Sequence, residues 1–537
     1  MQAQLTQTPA PFPRNPEPAE SSLPSLRLTT QPPRELGWTA PVRQEKFLLG
    51  GELKTWTGKT DPVVSPLQID GENVVLGTVP SLGREEALAA VAAAHEAYYG
   101  ASATWPIASQ EQRIACTETF LSKMREVRNE VVKRIVWEIG KSIADAEKEF
   151  DRTIEYVERT IDELRQLNRE QALVQEEGVA AHVTRSPRGV CLCMGPFNYP
   201  LNETFATLFP ALLMGNTAII KPPKQGVLLY EPLLKAFQES FPPGVVNTVY
   251  GDGKEIITPI MESGKVDSLA FIGSDRVADI VSGQHPEPHR LHKVLGLGAK
   301  NPGVICKDAD LDKTVSEVVK GALSYNGQRC TALKILFVER EIAPAFIDRL
   351  KEEVDGLKRG MPWESGVKIT PVAEPNKTEW LNQLIEDALE HGATLENPNR
   401  TDESESLFAP QILSGVSPEC RLYREEQFGP IIPIVVVDSA EEALRYQATS
   451  RVGQQISLFG QDPERLAMMA LQLQRFVGRV NINTQCQRGP DTLPFGGKKS
   501  AAQGTLSIRD ALLEFSVPSV ISGKIGDESA TLSLKGN

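Results

Sequence analysis

Short apolar runs alternating with helical stretches, from residue 190 to 437, limit the possible folds of this chain more than any other feature. Val190-Cys191-Leu192-Cys193-Met194, Ala218-Ile219-Ile220-Lys221, 245–250 and Leu269-Ala270-Phe271-Ile272 read as strands, and a helix is predicted over 204–213. A second series follows: Gly303-Val304-Ile305-Cys306, Ile335-Leu336-Phe337-Val338 and 431–437, separated by helices such as 343–357. Such alternation implies parallel sheets with covering helices, so the expected fold class is α/β. Two lobes then meet near residue 300, and a cleft between such lobes is the usual place for a cofactor and a substrate. Upstream, helical spacing predicts a helix over 84–99 and one or more long amphipathic helices from 129 to about 167.

At roughly 100–200 residues per domain, a chain of 537 residues suggests three or so lobes. The net charge of -13 argues against a general nucleic-acid or anionic-membrane binder, but allows a local basic pocket for an anionic small molecule. No run of about 18 apolar residues spans a membrane, and the start lacks the pattern of a secretory signal. Seven cysteines are sparse and odd in number, which fits free thiols in a reducing compartment and makes the cytoplasm the default location. The six histidines form no metal-ligand set, and Pro286 and Pro288 break the cluster His285, His289, His292 into a loop; no metal is expected. Residues 1–46, polar and proline-rich, read as a flexible extension, and 524–537 as a flexible tail. The extension could be a transit peptide, but Glu17, Glu20 and Glu35 count against one. Order is expected from about Phe47.

Four motifs carry chemistry. In Asn326-Gly327-Gln328-Arg329-Cys330-Thr331 the thiol has a cation beside it, which would favour the thiolate; a lone Cys is otherwise a small buried hydrophobe. In Gly195-Pro196-Phe197-Asn198-Tyr199-Pro200, just after a strand, Asn198 can aim its amide at a developing oxyanion, or simply form a turn. Lys221 and Lys224 bracket Pro222-Pro223 at a strand end and suit a phosphorylated ribose, unless the loop is merely solvated. Where a strand runs into a helix, Gly273-Ser274 lets phosphate approach backbone N–H groups.

In this order, together with Glu426-Gln427-Phe428-Gly429-Pro430 and Pro494-Phe495-Gly496-Gly497-Lys498, these elements resemble the aldehyde dehydrogenase superfamily over about residues 47–523. The resemblance implies two Rossmann-type parallel-sheet lobes plus a small oligomerisation sheet. It places an NADP-binding domain at 47–167 and 187–295, a catalytic domain at 296–500, and oligomerisation strands at 168–186 and 501–523. A homodimer or homotetramer is expected, since such strands would otherwise present an exposed edge. By the same resemblance Cys330 would attack the aldehyde carbon, and Asn198 with the Cys330 N–H would hold the oxyanion. A nicotinamide would accept hydride, leaving a thioester to be hydrolysed. Lys221 and Glu426 would bind the cofactor riboses, with Phe428 beside the nicotinamide ribose. Relatives that prefer NAD often carry Glu where this chain has Lys224; an ammonium there attracts a 2'-phosphate and predicts NADP.

The chain is also similar to one subgroup, the non-phosphorylating NADP-dependent glyceraldehyde-3-phosphate dehydrogenases. Lys221-Pro222-Pro223, Arg329 before the Cys, and Gln487-Arg488-Gly489 with Asp491 carry that likeness. It implies a phosphorylated aldehyde as substrate, with Arg329, Arg488 and, on the long helix, Arg152 gripping its phosphate. The alternative is that each arginine makes a structural salt bridge. One departure stands out. The superfamily's Glu-Leu-Gly-Gly-Lys, whose Glu activates the hydrolytic water, is here Gly296-Leu297-Gly298-Ala299-Lys300. Three explanations compete: another carboxylate such as Glu425 or Glu426 acts through water, the acyl group leaves to a thiol such as coenzyme A, or the protein is an NADP-binding module with impaired deacylation. Among enzymes, the rival is a dehydrogenase for another anionic aldehyde, such as a semialdehyde.

Overall fold

The computed structural model describes residues 31–170, 173–398 and 406–526. The first apolar series forms a sheet of β1 (Val190–Met194), β2 (Thr217–Lys221), β3 (Val246–Thr248), β4 (Ser268–Ile272) and β5 (His292–Gly296). Their order is β3-β2-β1-β4-β5, all parallel, with Ala502–Gln503 added antiparallel beyond β5. The second series forms β6 (Asn301–Ile305), β7 (Leu333–Glu339), β8 (Thr394–Leu395), β9 (Gln411–Ser414), β10 (Ile431–Val437), β11 (Gln455–Phe459) and β12 (Arg479–Ile482). These lie in the order β8-β9-β10-β7-β6-β11-β12, parallel except for β8 against β9. The first sheet's last parallel strand thus ends at Gly296 and the second sheet's first begins at Asn301.

Strands β1, β2 and β4 are buried on both faces and open only at their last residues, Met194, Lys221 and Ile272. Side chains such as Leu192, Ile219 and Leu269, fully buried, each contribute roughly 1.5–3 kcal/mol. The strand order reverses between β1 and β4, and the crevice beyond the carboxyl ends at such a switch point is where ligands bind. Two helices frame that crevice. In α1 (Ile143–Arg169), Ser142 caps Asp145 N, and Phe150, Ile154, Val157, Ile161 and Leu164 form one buried stripe at helical spacing. It packs on α2 (Asn202–Leu213), which is buried throughout. Gly140, at φ 65°, ends the preceding helix Arg128–Ile139, so the long helical region is two helices.

Both ends of the ordered chain differ from expectation. Order begins before Phe47: Val42–Arg43 pairs with Gly77 and Thr78, and Trp38 Nε1 donates to Leu76 O at 3.0 Å. A lone tryptophan in a polar stretch has no periodicity to reveal it. At the other end Ser516–Lys524 pairs along its whole length with Val179–Pro187, and Ile525 N donates to Gly178 O at 2.9 Å. Lys524 and Ile525, expected in the tail, are therefore held to this strand and its turn; residues 1–30 and 527–537 lie outside the described residues. With Leu173–Glu176 on the other side of Val179–Pro187, these strands make the small third sheet, on which Val179, Val183, Val520 and Ile521 are exposed. Among the described residues no helix is long and apolar enough to cross a membrane.

Candidate active site

Cys330 stands between α4 (Leu311–Leu323) and β7, in a turn that the chain holds from several directions. Tyr325, Asn326 and Gly327 take successive left-handed conformations, at φ 48°, 56° and 70°. Such backbone persists only where the surroundings enforce it. The Asn326 amide bonds Thr370 in both directions (2.8 and 3.0 Å), and Gln328 Oε1 accepts from Ala373 N at 3.1 Å. Asn301 Nδ2 and Lys334 Nζ both donate to Cys330 O, at 2.8 and 3.0 Å. The Cys330 N–H has no acceptor among the described residues.

Asn198 follows β1 and is tied directly to this turn: its Nδ2 donates to Gln328 O at 2.8 Å. One amide hydrogen is used there, and the second is left for an oxyanion. Behind it, Lys141 Nζ donates to Asn198 O at 2.8 Å, pairs with buried Glu149, and stands 3.6 Å from the centre of the Tyr199 ring. Asn198 is therefore a braced donor, more than a turn-former.

The thiol itself differs from expectation. Burial pushes the Cys330 thiol up, the nearby carboxylates of Glu203 and Glu426 add to this, and Lys334 and Arg488 pull it down. Arg329, adjacent in sequence, is not the activating cation. Its guanidinium turns away, donating to Gly321 O at 2.9 Å and Lys320 O at 3.3 Å.

A single cleft of about 1520 Å³ joins Cys330 and Asn198 to Lys221, Lys224, Gly273, Ser274, Glu426 and Phe428. That exceeds the roughly 300–1,000 Å³ of a single small-ligand pocket, and leaves room for a dinucleotide beside a substrate. The residues fit one. The ammonium of Lys221, at the end of β2, has no hydrogen bond or ion pair among the described residues, and burial lowers its pKa. Gly273 leads into α3 (Asp275–Gly283), whose N-cap Ser274 accepts from Val277 N at 3.4 Å; a Cβ on Gly273 would stand 2.5 Å from the Phe271 ring. Glu426 pairs with buried Lys334, and Phe428, at φ 42°, packs 5.8 Å from the Phe197 ring.

The three arginines also line this cleft, but two of them meet carboxylates of the chain. Arg152 grips Asp491 with two nitrogens, at 2.7 and 3.2 Å; Arg488 pairs with Glu203 and lies 3.4 Å from Asp491. Arg152 and Arg488 thus each have a carboxylate of the chain as a partner. Arg329 alone has no carboxylate partner among the described residues. Sequence reasoning missed Glu203; an acid in a helix's first turn is an ordinary sight, and its partner is 285 residues away.

Gly296, at the end of β5, lines the cleft, where a Cβ would meet Ile272 at an ordinary 3.4 Å. A larger side chain fits there, yet the chain supplies none. The two carboxylates suggested in its place are engaged: Glu425 is bidentate with Arg421 at 2.9 and 2.9 Å, and Glu426 with Lys334. Among the described residues no group of His, Cys, Asp or Glu is arranged to hold a metal ion.

A thiol, an asparagine amide tied to its turn and a groove with room for a dinucleotide thus share one interlobe cleft. The model of the aldehyde dehydrogenase family matches residues 56–521, and the chain belongs to that family. It is 33% identical over 484 residues to the NADP-dependent glyceraldehyde-3-phosphate dehydrogenase of Streptococcus equinus, covering 87% of this chain and 96% of that protein. Among solved structures it is similar to the enzyme of that name from Bacillus halodurans complexed with NADP (TM-score 0.83, 32% identity, 90% of this chain and 100% of that one). It is also similar to a succinate-semialdehyde dehydrogenase from Burkholderia pseudomallei (TM-score 0.82, 26% identity, 90% and 98%).

Proposed function

We propose that the protein oxidises glyceraldehyde 3-phosphate to 3-phosphoglycerate. The observation that carries this is the lining of one cleft by Cys330, Asn198, Arg329, Arg488 and Arg152. NADP is the cofactor, and when bound it supplies the hydride acceptor. Cys330 Sγ attacks the aldehyde carbon to give a thiohemiacetal, whose oxyanion is held by Asn198 Nδ2 and the Cys330 N–H. Loss of hydride leaves a thioester on Sγ, and water releases the acid. Lys221 and Glu426 hold the riboses, Gly273 and Ser274 the phosphates, Lys224 the 2'-phosphate, and Phe428 packs beside the nicotinamide ribose. Arg329, which has no carboxylate partner among the described residues, takes the substrate phosphate through the nitrogens not bound to Gly321 O and Lys320 O. Arg488 joins it through Nη2, which has no partner among the described residues, while Nη1 stays on Glu203, and Arg152 joins by exchanging Asp491 for the stronger dianion.

That competition favours a second reading, in which a carboxylate semialdehyde is preferred. Specificity constants for glyceraldehyde 3-phosphate, succinic semialdehyde and uncharged glyceraldehyde separate the two. Two charge-assisted hydrogen bonds at about 1.5–3 kcal/mol each predict at least a hundredfold preference for the phosphate over glyceraldehyde. Equal values remove the phosphate reading; a semialdehyde preference replaces it. NADP binding with no turnover of any aldehyde would instead support a binding module.

The chain assembles, on this proposal, as a homodimer or homotetramer through the third sheet, whose edge strands expose Val174, Val520 and Ile521. A gel-filtration mass of one chain counts against it.

A further inference from the structure

The proposed reaction needs a base for the hydrolytic water, and Gly296 is none. The base must be a carboxylate that lines the cleft, stands close to Cys330 and keeps an oxygen free. Glu149, Asp275, Glu425 and Asp491 fail on the last point. Glu149 takes Lys141 and the N–H groups of Leu201 and Asn202. Asp491 holds two arginines and Glu425 is bidentate with Arg421; Glu426 keeps Oε2 beyond its pair with Lys334, but the proposed reaction commits it to a cofactor ribose. Asp275 takes Arg451 and the Arg276 N–H; Glu374, paired with Lys377 through one oxygen, and Asp145, bound by Ser142, are not among the charges that act most on Cys330.

Glu203 differs. It sits in the first turn of α2, directly after the segment that carries Asn198, so the fold that places the oxyanion donor also places this carboxylate. Arg488 takes only Oε2; Oε1 has no partner among the described residues, and the side chain keeps 11% exposure in the cleft. Arg488 is itself packed on the rings of Phe495 and Tyr156, at 5.0 and 5.7 Å, so it holds the carboxylate in place. Of all nearby charges, Glu203 raises the Cys330 thiol most.

We infer that Glu203 is the general base of deacylation, doing from the α2 side what Gly296 cannot do from β5. A water oxygen bonds to the thioester carbonyl carbon as its proton passes to Glu203 Oε1. The tetrahedral oxyanion rests on Asn198 and the Cys330 N–H, the C–S bond breaks to return the Cys330 thiolate, and Glu203 gives its proton to solvent. No oxidant or reductant takes part. The inference rests on the Cys330 thioester of the proposed reaction, not on which aldehyde forms it.

The test uses p-nitrophenyl acetate, which acylates a thiol without cofactor or aldehyde, so its outcome is independent of the substrate proposal. Glu203→Gln keeps an oxygen acceptor for Arg488. Its initial burst of p-nitrophenolate should match the wild type, while the following steady rate falls about 10²–10⁴-fold and mass spectrometry finds acetylated Cys330 accumulating. Gly296→Glu added to that variant should restore the steady rate to within about tenfold, which a merely structural loss at 203 would not allow. An unchanged steady rate, or a burst that falls with it in parallel, overturns the inference. Should Glu203→Gln fail to fold, Gly296→Glu alone decides. A steady rate within threefold of the wild type upholds Glu203 as the working base, and a larger rise shows that no base was present.

Discussion

Cys330→Ala is expected to leave no measurable NADPH formation with any aldehyde, a loss on the order of 10⁴-fold or more. No other thiol can substitute. Cys191, Cys193, Cys306, Cys420 and Cys486 are buried elsewhere, Cys116 is half-buried on another helix, and none lines the cleft. The side chain takes part in none of the bonds that hold its turn, which run through Cys330 O, Asn326 and Gln328, so the variant should unfold within a few degrees of the wild type. Asn198→Ala, in the same assay, should lower kcat by about 10²–10³-fold. It should also lower the melting temperature, because its bond to Gln328 O ties the two lobes' catalytic segments together. Residual turnover by Cys330→Ala above a few per cent would mean that hydride leaves without a covalent intermediate.

The second large effect is on cofactor choice. Lys224 is exposed at the end of β2, has no ion pair among the described residues, and lies close enough to Lys221 to lower that ammonium's pKa. Two ammoniums held near each other, with Asp252 as the carboxylate that acts on Lys221, are stabilised further by a ligand's phosphate. Lys224→Glu removes a charge-assisted bond of about 1.5–3 kcal/mol and adds repulsion, while its carboxylate can accept ribose hydroxyls from NAD. The ratio of kcat/KM for NADP over NAD should therefore fall by about 10²-fold or more. A ratio that does not move would show that the 2'-phosphate lies elsewhere.

What could be read from the chain alone followed from how local each signal is. Val190-Cys191-Leu192-Cys193-Met194 and Ala218-Ile219-Ile220-Lys221 announce strands because both faces are apolar, and a parallel sheet buries both. The hairpin of Thr60–Ile69 and Glu72–Pro80 went unnoticed. Pro62 and Pro66 argue against a strand, although Asp70-Gly71, both at positive φ, is a hairpin turn signal. In the site, Cys330, Asn198, Lys221 and Glu426 each sit in a motif a few residues long. The pairings that define the arginine end are not local: Arg152 meets Asp491 across 339 positions, and Arg488 meets Glu203 across 285. Sequence distance hid both, and with them Glu203, whose Oε1 is left to spare.

The most direct measurement is a rapid-mixing trace of NADPH absorbance. The protein meets NADP and D-glyceraldehyde 3-phosphate without inorganic phosphate or coenzyme A, beside Cys330→Ala. The account predicts a steady linear rise that continues far beyond one equivalent per chain and is lost in the variant. A stall after about one equivalent would contradict water-driven release of the acid, and no NADPH at all would contradict the proposed substrate.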